Sequence, residues 1–156
     1  MKQFIFYLAV AVFAIFIGAQ ITEGMLLVPY WQSLSPEQFY SYYSTFGPSI
    51  GGFFTVLTLL AALMPVALAV YCKMINSKGL KWALISVIFA VLFIASFYFY
   101  FKGTNELFYQ SELSADALRN ELVTWSQWHW GRVVTEFLSL GSMVMALSKL
   151  RNAVEL

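Results

Sequence analysis

Residues 80–101 read LKWALISVIFAVLFIASFYFYF, a run with one charge, Lys81, at its edge. A bilayer core about 30 Å thick is crossed by about 20 mostly apolar residues in a helix, so this run predicts a transmembrane span. Three further runs of the same kind lie near 4–28, 49–71 and 129–147. Four spans take up most of the 156 residues and leave room for one integral membrane domain, 1–156, with no separate soluble one. The predicted fold is therefore all-α, a four-helix transmembrane bundle with short interfacial helices in the outer loops.

The composition agrees. Apolar residues make up 60% of the chain and charged ones 11%, and the mean hydropathy is +0.72. A soluble domain carries about 25% charged residues, so this chain has too few to coat a water-facing surface. Disorder is excluded by the same arithmetic. Nine Lys and Arg against eight Asp and Glu leave no basic excess for nucleic acid, and the lipid bilayer is the expected partner. The lone Cys72 forbids an internal disulfide, and one Cys with one His cannot form a zinc-finger-type site. The first span begins like a secretory signal after Lys2. It is longer than a signal core and lacks a small-x-small cleavage pattern, so it is expected to be retained.

Loop charges set the expected orientation. Lys2, Lys73, Lys78, Lys81, Lys149 and Arg151 fall at one end of the spans, and only Lys102 and Arg119 at the other. Cytoplasmic loops hold the positive excess, which puts both termini in the cytoplasm and the protein in a plasma or inner membrane. The first outer loop opens with Ser35-Pro36-Glu37 and carries Leu34, Phe39, Tyr42, Tyr43 and Phe46, the pattern of a capped short helix lying in the interface. In the second, Ser114 is a predicted N-cap of a helix leading straight into span four. Most of the aromatic residues on this side fit an interfacial belt.

Three charges lie within the spans, where each costs roughly 2.5–3.5 kcal/mol. They are Glu23, Arg132 and Glu136. With Pro29 and His129 as the boundary, a rise of about 1.5 Å per residue puts both acids about 10 Å deep and Arg132 about 4–5 Å deep. His129, Arg132 and Glu136, spaced i, i+3 and i+7, share a helix face. Gln20 and Thr22 flank Glu23, and Asn105 sits beyond span three. One reading is an ion pair that locks helices one and four. One arginine cannot neutralise two carboxylates, however, and the surplus acid is a candidate base or metal ligand. His129, Glu136 and Glu23 form the donor set of a non-haem metal site, though without HxxxH or ExxH spacing; haem has only one axial histidine to use.

The segment Trp125-Ser-Gln-Trp128-His129-Trp130-Gly-Arg132 resembles the W-x-x-W-[N/H]-x-x-R signature opening the last helix of the anthrone oxygenase-like family of small four-helix membrane proteins. Pro29, the Ser35 to Phe46 segment and Gly47-Pro48 resemble that family's first outer loop. Thr104-Asn105 falls where the family has N-x-P-x-N, of which the proline and second asparagine are missing here. The resemblance implies oxidation of an anthrone-like or quinone-like aromatic without a cofactor, at an extracytoplasmic-side pocket. In that scheme His129 is the base, and Arg132 and Asn105 stabilise the enolate oxygen. Trp31, Trp125 and Trp128 form the stacking walls, and Glu136 orients Arg132 within a catalytic group that also includes Glu23. The alternative is a non-catalytic membrane partner or small-molecule binder whose charge cluster is structural. A channel is disfavoured, because the inner halves of the spans offer no polar path.

Overall fold

The computed structural model describes residues 2–151; residues 1 and 152–156, and with them the ends of the chain that the charge count assigns to the cytoplasm, lie outside it. All regular structure among the described residues is helical. Helix α1 (Lys2–Thr22) continues through a π-helical turn, Glu23–Leu27, into α2 (Val28–Ser33). The single helix α3 (Pro36–Met74) follows. Helix α4 (Leu80–Ser96) continues through a second π-helical turn, Phe97–Phe101, into α5 (Lys102–Gln110), and α6 (Ala115–Arg151) ends the bundle. The four resulting rods are each long and apolar enough to cross a bilayer, the architecture of an integral membrane protein.

The joints are short and made by local chemistry. Leu34 is extended, and Ser35 closes a capping box in which its hydroxyl accepts from the Gln38 amide while the Gln38 side chain accepts from the Ser35 amide. At the opposite end Asn76, with φ of 50°, turns the chain between α3 and α4. Ser111, with φ of 56°, ends α5, and the Glu112 amide reaches back to the Leu107 carbonyl at 3.3 Å. Ser114 caps α6 as its sequence predicts, accepting from the Ala117 amide at 3.4 Å.

The expected helix ends need correcting. No separate interfacial helix precedes span two, because Pro36 to Phe46, capped by Ser35, is the first part of α3 and Pro48 sits inside that helix. The stripe Phe39, Tyr43, Gly47 is buried on one face, which a break at Gly47-Pro48 would disrupt. Gly47 lets Tyr109 approach this face closely, since a Cβ there would lie 2.9 Å from the Tyr109 hydroxyl. Likewise span one runs past Pro29 to Ser33, with the proline at the start of α2 just after the widened turn, where a missing N–H costs least. Span three continues past Phe101 to Gln110.

Two apolar cores are stacked along the bundle. One joins Phe13, Phe16, Ala61, Cys72, Ala90, Phe93 and Met143; the other is aromatic and joins Trp31, Phe39, Tyr43, Phe101, Phe108 and Trp125. Helices α4 and α6 pack most extensively. The buried Ser86 and Ser139 clasp them, each hydroxyl donating to the other residue's carbonyl, at 2.7 and 2.9 Å. Residues such as Leu84, Ile88, Val91, Val134 and Phe137 stand exposed on the outside, where lipid is their solvent.

Candidate functional site

Between the two cores, at a depth set by the last turn of α1 and the middle of α6, lies a buried polar layer. Trp125, His129, Arg132 and Glu136 recur at three- and four-residue spacing, so α6 carries them on one face. The last turn of α1 supplies Gln20, and the π-helical turn that follows supplies Glu23. The second π-helical turn ends on Phe101, whose ring lies 4.5 Å beneath the Arg132 guanidinium. Both widened turns therefore place a residue in the layer, as such turns often do at functional sites.

His129 and Glu136 are 0% exposed, and the Glu23 and Arg132 side chains only 6% and 13%. Arg132 stands between the two acids, with Nη2 3.5 Å from Glu23 Oε2 and Nε 3.7 Å from Glu136 Oε1. Its Nη2 donates to Gln20 Oε1 at 2.6 Å. His129 Nε2 lies 2.9 Å from the Gln20 carbonyl oxygen. A carbonyl only accepts, so Nε2 carries the hydrogen, and Nδ1 of the neutral ring holds the lone pair. Nδ1 faces Arg132 Nη2 at 3.3 Å and Glu23 Oε2 at 3.6 Å. The indole of Trp125 stacks on the imidazole with centroids 5.1 Å apart and planes at 11°. Gly24 makes room for the ring, because a Cβ there would lie 2.9 Å from His129 Nε2 and 2.8 Å from Trp130 Cζ2.

Spans one and four, the rod of α1 and α2 and helix α6, are thus neighbours, and Arg132 lies within salt-bridge distance of both acids. Other sequence expectations fare differently. Trp31 is buried against Trp125, edge to face at 5.4 Å. Asn105 accepts from Trp125 Nε1 at 3.1 Å, so it positions that indole. Trp128 belongs to another face: it is 44% exposed and stacks on Tyr100, because one residue's offset from His129 turns it about 100° round the helix. The non-haem metal set His129, Glu136 and Glu23 does not fit a metal, since the Arg132 cation stands between the acids and His129 Nε2 is engaged by a carbonyl; no group of three His, Cys, Asp or Glu among the described residues is placed to hold an ion. Thr22 turns away and donates to the Gly18 carbonyl.

The layer also includes residues that sequence reasoning did not single out. Gly24 and Phe101 have no chemical signature, and Phe101 lies in an aromatic run that marks no face. A second polar group sits nearby, in which Glu121 accepts from Tyr100 at 2.6 Å and Thr104 at 3.0 Å. The clefts at Tyr30 to Phe46 (about 430 Å³), at Ile5 to Leu147 (about 250 Å³) and at Gln32 to Val123 (about 170 Å³) include none of the layer's side chains. The layer itself carries unsatisfied hydrogen-bonding capacity: Gln20 Nε2, Glu23 Oε2, Arg132 Nε and both Glu136 oxygens are buried without a hydrogen-bond partner, as is Trp31 Nε1 in the aromatic core beside them. No family model, curated protein or solved structure matches the chain.

Proposed function

We propose that this protein binds a hydrophobic aromatic or quinone-like small molecule from the lipid phase, with the ligand's polar end in the layer between Gln20, Glu23, Arg132 and Glu136. The unpartnered polar atoms carry this reading. A buried donor or acceptor without a partner costs about 1–3 kcal/mol, and several gathered in one layer favour a guest that supplies the missing bonds. The adjoining aromatic core of Trp31, Phe101 and Trp125 suits a flat ring. The two π-helical turns flank the layer and are where the rods can shift to admit it.

The resemblance noted in the sequence extends the reading to oxidation. An anthrone-type C–H flanked by aromatic rings is acidic, and its carbanion reacts directly with oxygen. The methylene becomes a carbonyl, and O₂ is reduced to that carbonyl oxygen and one water. The layer supplies carboxylates to take the proton and a guanidinium to hold the enolate oxygen. His129 is less suited to be the base than its sequence suggests, because its one lone pair faces Arg132. A competing structural role is favoured by the tight packing of Gly24 against His129 and Trp130.

Protein in lipid nanodiscs titrated with anthrone is expected to show saturable quenching of tryptophan fluorescence, and in air the anthraquinone absorbance should rise faster than without protein. Absence of saturable binding by any flat aromatic removes the proposal in favour of the structural role. The loop charges further support placing both termini, and this layer's opposite end, on the cytoplasmic side. A reporter fused within Lys73–Lys81 should read as cytoplasmic; an outside signal there reverses the orientation.

A further inference from the structure

We infer that Glu136 and Arg132 together recognise an aromatic hydroxyl, so that the site takes a phenol or hydroquinone in preference to the corresponding quinone or ether. This deepens the proposed binding role and rests on it. Glu136 is fully buried and both its oxygens are unpartnered, and the unpartnered Arg132 Nε stands 3.7 Å from Oε1. That gap is too long for a direct hydrogen bond, and one oxygen atom bonded to both groups closes it. An ionised Glu136 paired with Arg132 only accepts, so the atom must donate to the carboxylate and accept from Nε–H. A hydroxyl does both with a single atom. A quinone carbonyl or an aryl ether only accepts, and would face the Glu136 oxygens with another lone pair.

The other groups of the layer leave this role to Glu136. Arg132 Nη2 is taken by Gln20 Oε1, and His129 Nε2 by the Gln20 carbonyl. Glu23 Oε2 is also unpartnered, but the Arg132 Nη2 donor already faces it at 3.5 Å, and the nearby His129 Nδ1, 3.6 Å away, presents only a lone pair. Glu136 lies one turn further along α6 and has only Arg132 Nε facing it as an ionic partner. It is therefore a specificity-determining residue for the guest's hydroxyl. Gln20 Nε2, likewise unpartnered, is a further donor at the Glu23 end of the layer.

The test uses the whole chain in nanodiscs and three stable probes of similar size: 1-naphthol, 1-methoxynaphthalene and 1,4-naphthoquinone, with binding read from tryptophan fluorescence after correction for lipid partitioning. 1-Naphthol is expected to bind about tenfold tighter or better than the other two, as follows from losing one hydrogen bond to a charged group. Glu136→Gln presents an amide donor in the same shape, so it should weaken naphthol and improve the quinone relative to it. Equal affinity for the three probes, or a preference for the quinone, overturns hydroxyl recognition while leaving the binding role standing. No saturable binding of any probe overturns both. The probe series on the unsubstituted chain decides the matter even if Glu136→Gln fails to fold, and a folded Glu136→Gln that keeps the naphthol preference also overturns it.

Discussion

Arg132→Ala is expected to be the most damaging single substitution in the chain, lowering stability by about 3–5 kcal/mol. Among the described residues the guanidinium is the one cation facing the two buried carboxylates, Glu23 and Glu136. It also donates to Gln20 Oε1 and rests on the Phe101 ring. Truncation leaves two acids with no counter-charge in a layer surrounded by hydrocarbon and strips the partner from the Gln20 amide oxygen. For a chain of this size the loss corresponds to a fall of roughly 6–20 °C in melting temperature. Arg132→Lys should fall in between, because a compact ammonium cannot reach Gln20 through one arm and face Glu136 through another. The double substitution Arg132→Ala with Glu136→Gln should recover part of the loss by removing one of the stranded charges. Melting in the same detergent, with exposed Lys102→Ala as the control, measures this directly. If Arg132→Ala melts like the control, the cluster does not hold α1 and α6 together.

The spans and the buried charges were legible in the sequence, and the reasons are physical. Hydropathy over twenty residues reports what must face lipid, and a charge inside such a run is too costly to be incidental. The spacing of His129, Arg132 and Glu136 gave their shared face because a helix repeats every 3.6 residues. Helix ends were harder to read. Pro29 and Gly47-Pro48 look like terminators, yet both prolines lie within rods held continuous by packing on either side. The π-helical turns were invisible, since a single widened turn inside a helix has no residue signature of its own. Trp128 was misplaced for a simpler reason. Tryptophans spaced along a membrane interface look alike in a sequence, and only the helix register decides that Trp125 stacks on His129 while Trp128 stacks on Tyr100.

The register also sets the chemistry. A histidine beside a buried arginine reads as a base, but in the folded chain its Nε2–H is spent on a carbonyl and its lone pair faces a cation. The unpartnered acceptors belong instead to the two glutamates. The charge count, two acids to one arginine, had already marked the acids as the surplus. What the count lacked was which acid the arginine leaves with unfilled lone pairs, and that depends on where Gln20 and the π-helical turn bring α1 against α6.

Gly24→Ala is expected to destabilise the protein by about 1–3 kcal/mol, although alanine is the better helix former. At most helical glycines here the opposite should hold. Gly18 and Gly131 have nothing within 4 Å of a built Cβ, so Gly18→Ala and Gly131→Ala are expected to be neutral or to stabilise by up to about 1 kcal/mol through reduced freedom of the unfolded chain. At Gly24 the new methyl meets His129 Nε2 at 2.9 Å, His129 Cδ2 at 3.0 Å and Trp130 Cζ2 at 2.8 Å. These are rigid ring atoms, and the imidazole is itself sandwiched by the Trp125 indole. The ring cannot yield without leaving the Gln20 carbonyl, which would take that acceptor from the buried Nε2–H. Melting curves of the three variants in one detergent give the test through a difference in sign, which a uniform detergent effect cannot produce. Should Gly24→Ala raise the melting temperature as the other two do, the close approach of α6 to the widened turn of the first rod is wrong, and with it the histidine–carbonyl bond that fixes the tautomer of His129.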